Sequence, residues 1–93
     1  MPQTHLPWDE DVIIEWDDEN IQHIARHGVS PWEVDEMILT GGFEGKRHPR
    51  RRKEKKYRNR FLLNGSTIGG RNLVILVDLV GENRIRPASA WPG

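Results

Sequence analysis

His48 and Tyr57 are the side chains best suited to handle a proton beside a charged ligand, and the sequence sets both in a run of cations. KRHPRRRKEKKYRNR, residues 46–60, holds Lys46, Arg47, Arg50, Arg51, Arg52, Lys53, Lys55, Lys56, Arg58 and Arg60 against one acid, Glu54. Like charges packed this densely repel one another, so the run calls for an anion. An imidazole titrates near neutrality, a phenol ring offers a stacking surface, and guanidinium forks match phosphate oxygens. The combination favours RNA. The plain alternative is a solvated hairpin, the usual fate of a charge run. Two-residue spacing argues against it, because Arg58 and Arg60 share a strand face, as do Arg84 and Arg86. If those strands are neighbours, their guanidinium groups line a rigid sheet.

The chain as a whole conceals this asymmetry. Its 93 residues balance 14 Lys and Arg against 14 Asp and Glu. Residues 1–45 nevertheless carry eleven acids and one base, a net of −10, while residues 46–93 carry thirteen bases and three acids, a net of +10. Such a division points to a polyanion partner for one half, or to neutralisation within or between molecules. A homo-oligomer in which the acidic face of one copy meets the basic strand of another is one form of the latter.

No cysteine is present, which excludes disulfides, thiolate zinc sites and a cysteine nucleophile, and fits a reducing cytoplasm. The opening MPQTHLPWDEDV has neither the basic nor the apolar region of a signal peptide. LVILVDLV, the longest apolar run, is too short to span a bilayer. A cytoplasmic protein with no membrane partner is expected.

The elements that must position these residues are legible in part. Residues 1–10, with two prolines and no periodicity, read as a loose arm to a single domain covering 1–93. VIIEW (12–16) alternates as a short strand. Asp17 is placed to N-cap a helix with Asp18 and Glu19 in its first turn. Gly28 takes the left-handed position that ends that helix, with Val29 folding back on Ile24. Ser30, Pro31 and Glu33 then open a second helix as a capping box, which Gly41-Gly42 closes. Beyond it, GFEGKRH, KYRNRFLL, RNLVILVDLV and NRIRPASAW read as strands, with breaks at Pro49, at Asn64-Gly65 with Gly69-Gly70, and at Gly81-Glu82-Asn83. Short connections imply antiparallel neighbours. The fold class is therefore α+β: two short helices on one face of a four- to five-stranded antiparallel sheet, with RNLVILVDLV central. Ile24, Val29, Val34, Ile38, Ile75 and Val77 are the expected core.

Three other patterns yield less. ARHGVSPWEVDEM has the spacing of a DNA-binding helix-turn-helix, but its second helix offers Glu33, Asp35 and Glu36 and no base. Carboxylates are repelled by the phosphates such a helix must approach. His23 and His27 have i, i+4 metal-ligand spacing, yet two ligands do not complete a site. No metal or other cofactor is expected. Trp8, Trp16, Trp32 and Trp91 read as core and edge packing, with base stacking an alternative for Trp91.

Two segments carry a family likeness. IIEWDDENIQHIARHGVSPWEVDEMI resembles the helical start of BrnT-type toxins, and GRNLVILVDLVGENRIRPASAW resembles their closing strands. The likeness runs from about residue 12 to 91 and is most specific at H-G-V-S-P and R-I-R-P-A-S-A. It implies a RelE-like ribonuclease fold, metal-independent RNA cleavage and neutralisation by a ribbon-helix-helix antitoxin. The family carry-over is best at Arg71, Arg84 and Arg86. Two departures stand out. The family follows its last strand with an Arg- and Glu-rich helix where this sequence reads Trp91-Pro92-Gly93, and its middle segment has fewer cations than HPRRRKEKKYRNR.

On that reading, His48 performs acid–base work, and Arg58, Arg60 and Arg86 stabilise the charged phosphorane. Tyr57 stacks on a base or assists proton transfer. Lys46, Arg47, Arg50, Arg51, Arg52, Lys53, Lys55, Lys56, Arg71 and Arg84 hold the RNA. The alternative is a non-catalytic module of the same fold that binds RNA or an antitoxin.

Overall fold

Asp17 opens the first helix as its sequence dictates. Its side chain accepts from the Asn20 amide, and the Asn20 side chain accepts from the Asp17 amide, so the cap is reciprocal. In the computed structural model, which describes residues 6–40, 42–50 and 52–93 with only the backbone at Lys56, this helix is α1 (Asp18–Ala25). Gly28 ends the turn at φ 75° and the Val29 amide reaches back to the Ile24 carbonyl at 3.1 Å. The left-handed residue and the backward bond satisfy the carbonyls left free at a helix end. Helix α2 (Pro31–Thr40) follows at once, with the Ser30 amide donating to Glu33 Oε1 at 3.0 Å. Gly41, placed at its close, lies outside the described residues.

Five strands complete the chain: β1 (Ile13–Ile14), β2 (Phe43–Arg47), β3 (Arg60–Ser66), β4 (Asn72–Gly81) and β5 (Arg84–Pro92), in sheet order β1-β5-β4-β3-β2. From β2 to β5 the sheet is an antiparallel meander. The fully antiparallel sheet expected from short connections is corrected at one edge. There β1 pairs with β5 in parallel, Ile13 beside Arg84 and Ile14 beside Ile85. The short-loop argument could not reach it, because both helices and three strands separate the partners.

The α+β architecture places both helices against one face of this mixed sheet. Strand β4 is central and alternates cleanly. Leu73, Ile75 and Val77 are fully buried under the helices, while Val74, Leu76 and Asp78 face the uncovered side and are half-buried. Ile24, Val29, Val34, Met37 and Ile38 meet Phe61, Leu63, Ile85 and Ala90 in one core. No described helix is long and apolar enough to cross a membrane.

Several boundaries differ from the sequence reading. Residues 6–10 are not a loose arm: Leu6 and Trp8 pack against the core, and Asp9 exchanges two 2.9 Å hydrogen bonds with Asn83. Residues 1–5 lie outside the described chain. Asn64-Gly65 does not break a strand but runs inside β3. Gly65 is needed there because a Cβ would fall 2.1 Å from the Gly42 carbonyl oxygen. The actual turn is Thr67–Arg71, with Gly70 at φ 89°. KYR is not strand either, since Lys55–Tyr57 form a 3-10 turn before β3 begins. Among the tryptophans, Trp32 is neither core nor edge packing and is 63% exposed.

Candidate nucleic-acid interface

The loop between β2 and β3 is built rather than slack. The ladder continues one step beyond β2, with the His48 amide donating to the Arg60 carbonyl at 2.9 Å. The Lys53 and Glu54 amides both bond the Arg50 carbonyl, and the Tyr57 and Arg58 amides bond Glu54 and Lys55 three residues back. The Leu79 amide of β4 donates to the Asn59 carbonyl at 2.8 Å, fixing the return into β3. These bonds fold the loop so that His48 and Tyr57, nine residues apart, stack at 4.1 Å between centroids with planes 12° apart. Arg50 and Arg60 lie over the Tyr57 ring at 5.9 and 5.6 Å, within cation–π range. Arg50 also stands 2.9 Å from Glu54, as an ion pair without an aligned hydrogen bond.

The Arg50 amide decides which ring nitrogen of His48 accepts. It donates to Nδ1 at 3.1 Å, so that nitrogen carries a lone pair and the neutral ring bears its proton on Nε2. In this tautomer the imidazole donates a hydrogen bond through Nε2. To take a proton on Nδ1 it must first release the Arg50 amide.

The cations divide into two sets. Lys46, Arg52, Lys53, Lys55 and Arg58 are exposed and form no ion pair with any described residue. Arg47 is also exposed and lies over Phe61 at 5.2 Å. Arg51 and the side chain of Lys56 lie outside the described residues. Arg58 follows the 3-10 turn, so it does not share a strand face with Arg60.

The second set is held by carboxylates. Arg60 grips Asp78 with Nε at 2.7 Å and Nη2 at 2.9 Å. Arg71 donates to both oxygens of the buried Glu33 and to the Gly28 carbonyl. Arg84 meets Glu15 at 3.1 Å, and Arg86 bonds Asp17 at 2.5 Å and Glu19 at 3.0 Å. The hydrogen bond from Arg86 holds the Asp17 carboxyl below the usual carboxylate range. Asp78 and Asp17 in turn raise Arg60 and Arg86 above the ordinary guanidinium value, against the cost of burial. Arg71, Arg84 and Arg86, three of the thirteen bases in residues 46–93, are thus paired with acids of residues 1–45.

Cross-strand register sets Arg60, Asp78 and Arg86 in one row on the sheet face opposite Leu73, Ile75 and Val77, whose β5 edge α1 reaches. The row floors an open depression of about 300 Å³ walled by Glu19, Asn20 and His23 of α1. His48 and Tyr57 touch this row through Arg60, whereas Arg71 lies at the far end of β3, clamping the corner between the helices. The structure therefore gathers His48, Tyr57, Arg50 and Arg60, sets Arg86 across the sheet, and leaves Arg71 and Arg84 elsewhere. Sequence reasoning missed these carboxylate partners. The only signal present was the run of acids at Glu15, Asp17, Asp18 and Glu19 in the acidic half against Arg84 and Arg86 in the basic half. Neither a protein-family model, nor a curated protein, nor a solved structure matches this chain.

Proposed function

We propose that this protein binds single-stranded RNA on the β2–β3 loop and acts as a BrnT-like, metal-independent endoribonuclease of RelE-like fold. The observation that carries the reading is the stacked His48–Tyr57 pair on a hydrogen-bonded loop that also carries Arg52, Lys53, Lys55 and Arg58, exposed and without an ion pair to any described residue. A base stacks on the ring pair while Arg52, Lys53, Lys55 and Arg58 take successive phosphates. His48 donates a hydrogen bond through Nε2 to a phosphate oxygen; to give a proton to a departing oxygen it must first take a second proton on Nδ1, which displaces the Arg50 amide and forms the imidazolium. Arg60 and Arg86 lie next along the sheet to meet developing charge. A ribbon-helix-helix antitoxin as partner and a cytoplasmic setting belong to the same reading. The test is incubation of purified protein with RNA, with and without EDTA. Cleavage indifferent to EDTA and reduced about 10²–10⁴-fold by His48→Ala supports it.

One observation favours a second reading, a non-catalytic RNA-binding module. Arg60 and Arg86 already serve carboxylates, and each must exchange at least one of them for phosphate to stabilise a transition state. Tight RNA binding without cleavage selects this module.

A further inference from the structure

The outer side of α2 presents a surface that nothing in the RNA reading uses. Trp32, Asp35, Glu36 and Leu39 follow i, i+3, i+4, i+7 spacing and so form one stripe. Trp32 is 63% exposed and Leu39 52%. The turn between β3 and β4 joins this stripe, since the Ile68 amide donates to Glu36 Oε1 at 2.6 Å, and Ile68 is 76% exposed. Three of the most exposed large apolar side chains thus neighbour two half-buried carboxylates, Glu36 and Asp35, the latter also accepting from Trp16 Nε1 at 2.9 Å. No base lies on α2. An exposed indole face beside carboxylates suits cations with aliphatic stems, which pack along apolar surface while their heads meet the ring and the acids.

The same molecule carries such cations on Arg52, Lys53, Lys55 and Arg58. It cannot bring them to its own α2 face. Ile68 lies just beyond the last residue of β3 and the basic loop just before the first. The seven residues of that strand separate them by roughly 20 Å at about 3.3 Å per residue. Only a second molecule satisfies both surfaces. We infer that this protein self-associates head to tail, the β2–β3 loop of one copy docking on the Trp32–Leu39–Ile68 face of the next. The contact is heterologous, so it leaves one unused surface at each end of a pair and propagates to rings or short open chains. The basic loop is also the surface assigned to RNA, so RNA and a second copy compete for it. That competition rests on the RNA reading, whereas the self-association does not.

Sedimentation of the full chain over a range of concentrations tests the inference. At low ionic strength the apparent mass rises with concentration beyond two chains. It returns to one chain in about 1 M salt, where the screening length is about 3 Å. Two variants with intact cores decide the geometry: Trp32→Ala with Leu39→Ser removes the docking face, and Arg52→Glu with Lys53→Glu and Lys55→Glu removes the loop. Each is expected to be monomeric alone with unchanged far-ultraviolet circular dichroism. Mixed, they form a dimer and stop there, because one supplies the loop and the other the face. Wild-type protein that stays monomeric at low salt overturns the inference, as does association that survives either variant or a mixture that fails to pair. Adding a single-stranded RNA oligonucleotide separates the two proposals: self-association undisturbed by bound RNA refutes the shared surface alone.

Discussion

Asp17 serves two structures at once, capping α1 and receiving Arg86. Asp17→Ala removes both roles and is expected to lower the urea midpoint at neutral pH, through the lost cap as well as the lost charge. Asp17→Asn keeps an acceptor for the Asn20 amide and loses only the charge, so it should cost less. Because Arg86 lowers the native pKa of Asp17, the charge stabilises fully above the unfolded value of about 3.9. That contribution is lost as pH falls through the lowered native value. The stability gap between wild type and Asp17→Asn should therefore close on acidification, and a gap unchanged in acid would assign it to another cause. Arg71 invites a different test. It satisfies Glu33, whose side chain is only 8% exposed, so Arg71→Ala should destabilise the fold by about 1.5–3 kcal/mol. RNA affinity should be unmoved in the fraction that remains folded. The charges of these residues were plain in the sequence, but their partners were not, because Arg71 and Glu33 lie 38 positions apart.

At the scale of elements, the helical corner was the most legible part, and for a local reason. Asp17, Gly28, Val29 and Glu33 each act on a backbone group within a few residues, so spacing alone identifies them, whereas the Ser30 side chain expected to complete the second capping box makes no such bond among the described residues. Strand β3 was misplaced at both ends because its limits are set from outside. Tyr57 is drawn into a turn under His48, and Gly65 sits inside the strand because the chain at Gly42-Phe43 passes against it. Gly65→Ala should force β2 away from β3 and destabilise by at least the 1–3 kcal/mol typical of overpacking, seen as a lowered urea midpoint. The β2–β3 loop yields the matching functional prediction. Tyr57→Ala should remove the stacking surface and weaken RNA binding by about 1–3 kcal/mol for each base stacked there. Titration of a labelled oligonucleotide by fluorescence anisotropy reads this directly.

Over the whole molecule, the division into an acidic and a basic half was visible at once, but its meaning depended on which charges meet. Glu15, Asp17 and Glu19 quiet Arg84 and Arg86, which leaves the β2–β3 loop as the main uncompensated cationic surface among the described residues. The candidate site was therefore half legible: the run itself stood out, while the sorting of its arginines from the paired ones required the sheet. RNA affinity should fall with salt at a log–log slope near −0.7 per phosphate neutralised, or about −3 for four or five contacts. Arg52→Ala should reduce that slope by about one contact, and Arg84→Ala should leave it unchanged. A slope near zero in wild type would exclude the loop as a phosphate surface.

The parallel pairing of Ile13 and Ile14 with Arg84 and Ile85 also carries a timetable. A chain made from its amino end can form the capping bonds of the α1–α2 corner as soon as it emerges, since those bonds are local, and the Arg71 clamp on Glu33 and Gly28 is added later. The strand that precedes the corner has no partner until β5 is synthesised. Asp9 waits equally long for Asn83, 74 positions later. Contacts across such separations form late and slowly. Until then the nascent chain holds a finished helical corner beside an unfinished sheet. Its acidic amino half also meets Arg84 and Arg86 only at the last step, so the unfinished chain exposes carboxylates that the completed fold neutralises.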